Sequence, residues 1–126
     1  MYAIRVQAHF NAAHNLRGYH GKCERLHGHN WKVEVELTAT GLNKIGMVCD
    51  FKKVKEKLQS VLKKLDHCHL NRIAFFKKNN PTSENIAEFI FVNIKKEIKD
   101  KRLRLKEVCV WETETSCAVF GEEDYA

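Results

Sequence analysis

Proline is almost missing from this chain: Pro81 is the only one in 126 residues, and there are only six glycines. That scarcity excludes a collagen-like chain, a proline-rich linker or a low-complexity disordered segment. Long apolar runs are also missing. No window approaches the roughly 18 to 20 apolar residues of a membrane span, and the opening MYAIRVQAHF lacks the basic-then-apolar order of a secretory leader. A regular cysteine framework is lacking too. Cys23, Cys49, Cys68, Cys109 and Cys117 are odd in number and irregularly spaced, which points to a reducing cytoplasm and a soluble protein. Acidic residues are outnumbered, 16 against 22 Lys and Arg, leaving a net charge of +6 that suits an anionic partner without choosing one. What is present is ordinary for a globular protein: 44% hydrophobic and 30% charged residues, in a length that suits one domain over 1–126.

Periodicity supplies the elements. Tyr2, Ile4, Val6, Ala8 and Phe10 alternate with polar residues, as do Trp31, Val33, Val35, Leu37 and Ala39, so both stretches read as half-buried strands. Between them Asn15 to Gly28 is polar and holds three glycines, the signature of a long, functional loop. Asp50 is placed to cap a helix bearing Phe51, Val54, Leu58, Val61, Leu62 and Leu65. Thr82 or Ser83 is placed to cap a second with Ile86, Phe89, Ile90, Ile94 and Ile98. Two strands, near 103–113 and 116–120, complete a ββααββ order. This is an α+β fold in which two helices cover one face of a four-stranded antiparallel sheet.

The chemistry is concentrated in histidines, of which there are seven: His9, His14, His20, His27 and His29 early, then His67 and His69. His27-Gly28-His29 places two imidazoles on one side of an extended segment, and His14 at the end of the neighbouring strand supplies a third. Three imidazoles with a fourth position open is a catalytic zinc arrangement; solvated loop histidines are the plainer alternative. Cys23, four positions before His27 and flanked by Lys22 and Arg25, fits either a fourth zinc ligand or a thiolate base. Asp66-His67 pairs a carboxylate with an imidazole suited to proton transfer. Glu112 on the penultimate strand either accepts paired N–H donors from a heterocycle or forms a cross-strand charge pair. A zinc-stabilised module that binds nucleic acid through its lysines uses Cys23, His27 and His29 but leaves Asp66, His67 and Glu112 idle.

Taken together, Phe10-Asn11-Ala12-Ala13-His14, Cys23-Glu24-Arg25-Leu26-His27-Gly28-His29, Leu65-Asp66-His67-Cys68-His69-Leu70-Asn71, Pro81-Thr82-Ser83-Glu84-Asn85 and Glu112-Thr113 resemble one family along essentially the whole chain. It is the 6-pyruvoyltetrahydropterin and 6-carboxytetrahydropterin synthases. The resemblance implies a tunnelling fold (T-fold) and a homo-hexamer of two trimers with active sites between subunits. It further implies a small-molecule substrate, 7,8-dihydroneopterin triphosphate, and no membrane or nucleic-acid partner. It assigns His14, His27 and His29 to Zn2+, Cys23 to proton abstraction, Asp66 and His67 to a proton relay, and Glu112, with Thr82 and Ser83, to the pterin. The three-residue spacing between Cys23 and His27 resembles the carboxy-forming branch, a lyase of queuosine biosynthesis. Glu24 beside Cys23 resembles a related branch that cleaves the side chain in an aldolase-like way.

Overall fold

The computed structural model describes residues 1–22 and 24–122. Strands β1 (Tyr2–His14) and β2 (His27–Ala39) form a long antiparallel pair in unbroken register from Tyr2↔Ala39 to His14↔His27. Strand β4 (Arg104–Thr113) pairs antiparallel with β2, and β5 (Ser116–Gly121) with β4. Helices α1 (Phe51–Leu62) and α3 (Ser83–Glu97) lie on one face, α1 over β1 and α3 over β4 and β5. The α+β class and the order of the main elements follow the alternation and the helical spacing.

The count of four strands and two helices needs correction. A two-residue strand β3 (Cys68–His69) runs parallel to β1, so the sheet has five strands in the order β3-β1-β2-β4-β5. A 3-10 turn (Leu70–Arg72) and a short helix α2 (Ala74–Lys78) follow it. Two residues of strand and five of helix are too short to impose a period on the sequence. What draws β3 to the edge is a tertiary bond, His67 N–H to Asn11 O at 2.6 Å, with His67 in the left-handed region at φ 57°. Helix α1 ends at Leu62, and Leu65 is fully buried beyond it.

The core lies between the sheet and the helices. Val6, Phe10, Trp31, Val33, Val35, Val108 and Val110 meet Val54, Leu58 and Val61 of α1 and Ile86, Ile90 and Ile94 of α3. Phe76 of α2 is wholly buried beside them. Asp50 caps α1 by accepting from Lys52 N–H, and the Thr82 hydroxyl caps α3 by accepting from Asn85 N–H at 3.1 Å. On the open face, the Glu36 carboxylate is buried between Arg5 and Lys106. Burial alone would push this carboxyl up; the bonds and charges of Arg5 and Lys106 outweigh it and hold it below its usual value. Among the described residues no helix is long and apolar enough to cross a membrane.

Candidate metal centre

The inward side of the sheet carries its apolar row straight into a polar cluster. On β1 the buried set Val6, Phe10, Ala12 ends in His14; on β2 the set Leu37, Val35, Val33, Trp31 ends in His29 and His27. Register does the rest, because His14 lies opposite His27 and Ala12 opposite His29. Trp31 forms the floor, with the rings of His14 and His29 edge-on to it at 4.9 and 5.2 Å. On β4 the same alternation runs Val108, Val110, Glu112, and the pairing with β5 shifts register between Trp111 and Thr113, so Glu112 sits at a bulge.

Four side chains therefore converge: one ligand atom each from His14, His27, His29 and Glu112, all within 4.8 Å of one another. His14 Nε2 lies 3.1 Å from His27 Nε2 and 3.1 Å from Glu112 Oε1, and His29 Nε2 is 3.1 Å from the same oxygen. The outer ring nitrogens are already committed. His14 Nδ1 donates to Pro81 O at 2.7 Å and His27 Nδ1 to Arg25 O at 2.8 Å, since a carbonyl can only accept. With Nδ1 turned outward on both rings, the inner Nε2 atoms of His14 and His27 face each other across 3.1 Å. His29 Nε2 is buried and, although 3.1 Å from Glu112 Oε1, makes no aligned hydrogen bond among the described residues. A cation among the four atoms would satisfy all of them at once. A tetrahedral ion with bonds of roughly 2.0–2.1 Å spaces its ligand atoms about 3.3–3.4 Å apart, close to the three 3.1 Å separations and inside the 4.8 Å span of the whole set. Burial lowers the pKa of His29, with the charge of Glu112 opposing and His27 and His14 adding to the shift, so the ring is held in the neutral form that binds metal.

The other residues singled out in the sequence divide into those at the centre and those beside it. Asp66 and His67 are gripped by one residue of β1: Asn11 N–H donates to Asp66 Oδ1 at 2.9 Å and Asn11 O accepts from His67 N–H. His67 Nε2 is 3.5 Å from Asp66 Oδ2, the ring is exposed, and it shares with His29 a cleft of about 570 Å³. Ser83 shares a smaller pocket, about 310 Å³, with Glu112, whereas the Thr82 hydroxyl is engaged in capping α3. Cys23 lies outside the described residues. Glu24, next to it, accepts from Leu16 N–H at 3.2 Å and brings Oε1 to 3.8 Å from His27 Nδ1. His69 Nε2 is 3.4 Å from Asn15 Oδ1, His20 packs on Tyr19, and His9 lines a cleft with Lys32, Trp111 and Glu112.

Reading the residues in order missed that Glu112 belongs with the histidines. The signal was there in its phase with Val108 and Val110, but the row becomes a site only once β4 is paired beside β2. The carbonyls of Pro81 and Arg25 leave no side-chain signal at all.

Sheet, helices and centre define a tunnelling-fold protein with a histidine-and-carboxylate cluster able to hold a metal ion at one end of the sheet. The family model described as 6-pyruvoyl tetrahydropterin synthase matches residues 3–123, and the chain belongs to this family of lyase-type pterin enzymes. A Haemophilus influenzae protein named 6-carboxy-5,6,7,8-tetrahydropterin synthase is 32% identical, over 97% of this chain and 100% of its own. A Pyrococcus furiosus dihydroneopterin monophosphate aldolase is 40% identical over 86% of this chain and 88% of its own. In structure, the Caenorhabditis elegans 6-pyruvoyl tetrahydropterin synthase matches with a TM-score of 0.85 at 29% identity, covering 97% of this chain and 96% of that one.

Proposed function

We propose that the chain converts 7,8-dihydroneopterin triphosphate to 6-carboxy-5,6,7,8-tetrahydropterin, with release of acetaldehyde and triphosphate, as a zinc enzyme of queuosine biosynthesis. The carrying observation is the convergence of His14, His27, His29 and Glu112, with the outer nitrogens of His14 and His27 tied to backbone carbonyls. The carboxy-forming relative matched along its whole length supports the choice of reaction.

Bound zinc would supply Lewis-acid chemistry, withdrawing electron density from hydroxyl oxygens of the pterin side chain so that neighbouring protons become more acidic. The chain's own residues do the rest. His14, His27 and His29 present ring nitrogens toward one point. Glu112, partly exposed at the rim, offers its second carboxylate oxygen to paired N–H donors of a pterin ring. Cys23 serves as the thiolate that takes a proton from the side chain. His67, exposed in the cleft it shares with His29 and paired to Asp66, hands protons on to solvent. Ser83 adds a polar contact beside Glu112; Thr82 contributes by fixing the start of α3. The surplus of Lys and Arg draws in a polyanionic substrate. The enzyme works as a single-domain subunit of a hexamer of two trimers, with sites shared between neighbours.

A second reading has an observation of its own. Glu24 holds a carboxylate oxygen 3.8 Å from His27 Nδ1, and the relative that is 40% identical is a dihydroneopterin monophosphate aldolase. On that reading the side chain is cleaved to a hydroxymethyl pterin. Anaerobic incubation of zinc-loaded protein with 7,8-dihydroneopterin triphosphate, and separately with the monophosphate, decides by mass spectrometry of the pterin. Carboxytetrahydropterin with acetaldehyde is the expected result. A hydroxymethyl product establishes the second reading, a pyruvoyl product moves the chain to the elimination branch, and no turnover by zinc-loaded protein sinks all three.

A further inference from the structure

Three residues follow His14 before the chain turns away at Gly18, and their backbone is held in an unusual way. Asn15 N–H donates to Asn71 Oδ1 at 3.0 Å, and Asn71 Nδ2 donates back to Asn15 O at 2.8 Å. Two residues on, Arg17 N–H donates to Asn80 Oδ1 at 2.9 Å, and Asn80 Nδ2 donates to Arg17 O at 2.8 Å. Leu16 points its polar groups the other way, its N–H to Glu24 Oε1 at 3.2 Å and its carbonyl to Glu24 N–H at 2.9 Å. All six backbone polar groups of residues 15–17 are thus satisfied, in the alternating pattern of a strand between two neighbours. Among the described residues no strand pairs with residues 15–17 on the side of Asn71 and Asn80; their carboxamides stand in for one, each offering the acceptor and donor of a peptide group.

The position of this mimicry matters. Asn80 is followed by Pro81, whose carbonyl takes the Nδ1 proton of His14. Asn80 is itself fixed, its carbonyl accepting from Thr82 N–H and Asn85 Nδ2. The same two residues, Asn80 and Pro81, therefore hold the imidazole of His14 and the backbone three residues beyond it.

We propose that Asn71 and Asn80 are positioning residues: their carboxamides act as a surrogate strand that locks residues 15–17 and so fixes His14 and the start of the β1–β2 loop in the geometry the metal centre needs. Neither side chain touches the centre. The effect runs through the backbone of residues 15–17 and through Pro81, and it separates these asparagines from Asn93, whose Nδ2 bonds Phe89 O within α3.

The test compares Asn71→Ala, Asn80→Ala and Asn80→Asp with Asn93→Ala as the control. Three quantities are read: amide hydrogen exchange at residues 15–17, zinc affinity by competition with a chelating dye, and kcat and KM on 7,8-dihydroneopterin triphosphate. In the alanine variants exchange at residues 15–17 should rise at least about tenfold. Zinc affinity should fall about tenfold and kcat by a similar factor, with KM within about twofold. Asn80→Asp keeps the acceptor for Arg17 N–H and loses the donor to Arg17 O, so its effects should be intermediate. Asn93→Ala should leave all three unchanged. Unchanged exchange at residues 15–17 overturns the proposal. So does raised exchange with zinc affinity and kcat at native values, because the clasp would then hold the chain without serving the site. Where an alanine variant does not fold, Asn80→Asp decides by the same readouts. The kinetic arm rests on the function proposed above; if native zinc-loaded protein does not turn over this pterin, that reading fails, while exchange and zinc affinity still decide the role of Asn71 and Asn80.

Discussion

At the scale of single residues, the proposed function separates groups that would hold metal from groups that would move protons, and variants should divide the same way. His27→Ala and His29→Ala remove a converging nitrogen, so bound zinc should drop to background and turnover with it. Cys23→Ala should keep zinc and lose turnover by about 10²–10⁴-fold, the usual worth of a positioned base. Metal analysis beside an activity assay checks both. Parallel loss of zinc in Cys23→Ala would make the cysteine a ligand. The histidine pair on β2 was legible from the spacing of His27 and His29 alone, because a strand puts i and i+2 on one side. The place of Glu112 was not, because its neighbours in space come from strands about 80 to 100 residues earlier in the chain.

At the scale of elements, caps and buried charge hold the frame behind the site. Thr82→Ala removes the acceptor for Asn85 N–H and should cost about 1 kcal/mol in chemical denaturation. Because Asn85 also bonds Asn80 O, the same variant tests how tightly the start of α3 is tied to the clasp. On the open face, Glu36 joins β1 to β4 through Arg5 and Lys106. Its folded pKa is depressed below the ordinary carboxylate value of 4.5, so the folded state holds the proton less tightly than the unfolded chain does. The stabilisation is therefore full above the unfolded value and is lost as pH falls through the depressed folded one. Thermal midpoints measured from about pH 6 down to about pH 3 should fall more steeply for the native chain than for Glu36→Gln. Equal slopes would show that Glu36 contributes nothing to acid unfolding. The long strands and both long helices were readable because each repeats its period over ten or more residues. Strand β3 and helix α2 were not, since their conformation depends on the bond from His67 N–H to Asn11 O and on Phe76 finding the core.

At the scale of the whole molecule, the proposed triphosphate-bearing substrate is one that the net charge of +6 would draw in on encounter. Raising ionic strength from about 0.05 to 0.5 M shortens the screening length several-fold, so kcat/KM should fall while kcat stays nearly constant. A kcat/KM indifferent to salt would place the substrate's capture on local contacts alone. The sequence by itself determined the α+β order, the two long strands, the capped helices and the histidines suited to metal, because each of these is written in periodicity or in residue chemistry within a short stretch. Tertiary structure alone decided that Glu112 joins the histidines, that Pro81 and Arg25 orient them, and that Asn71 and Asn80 stand in for a strand. These are pairings of backbone groups, or of residues far apart in the chain. A carbonyl has no residue identity, and the partner of a carboxamide is fixed only when the sheet register brings the two together.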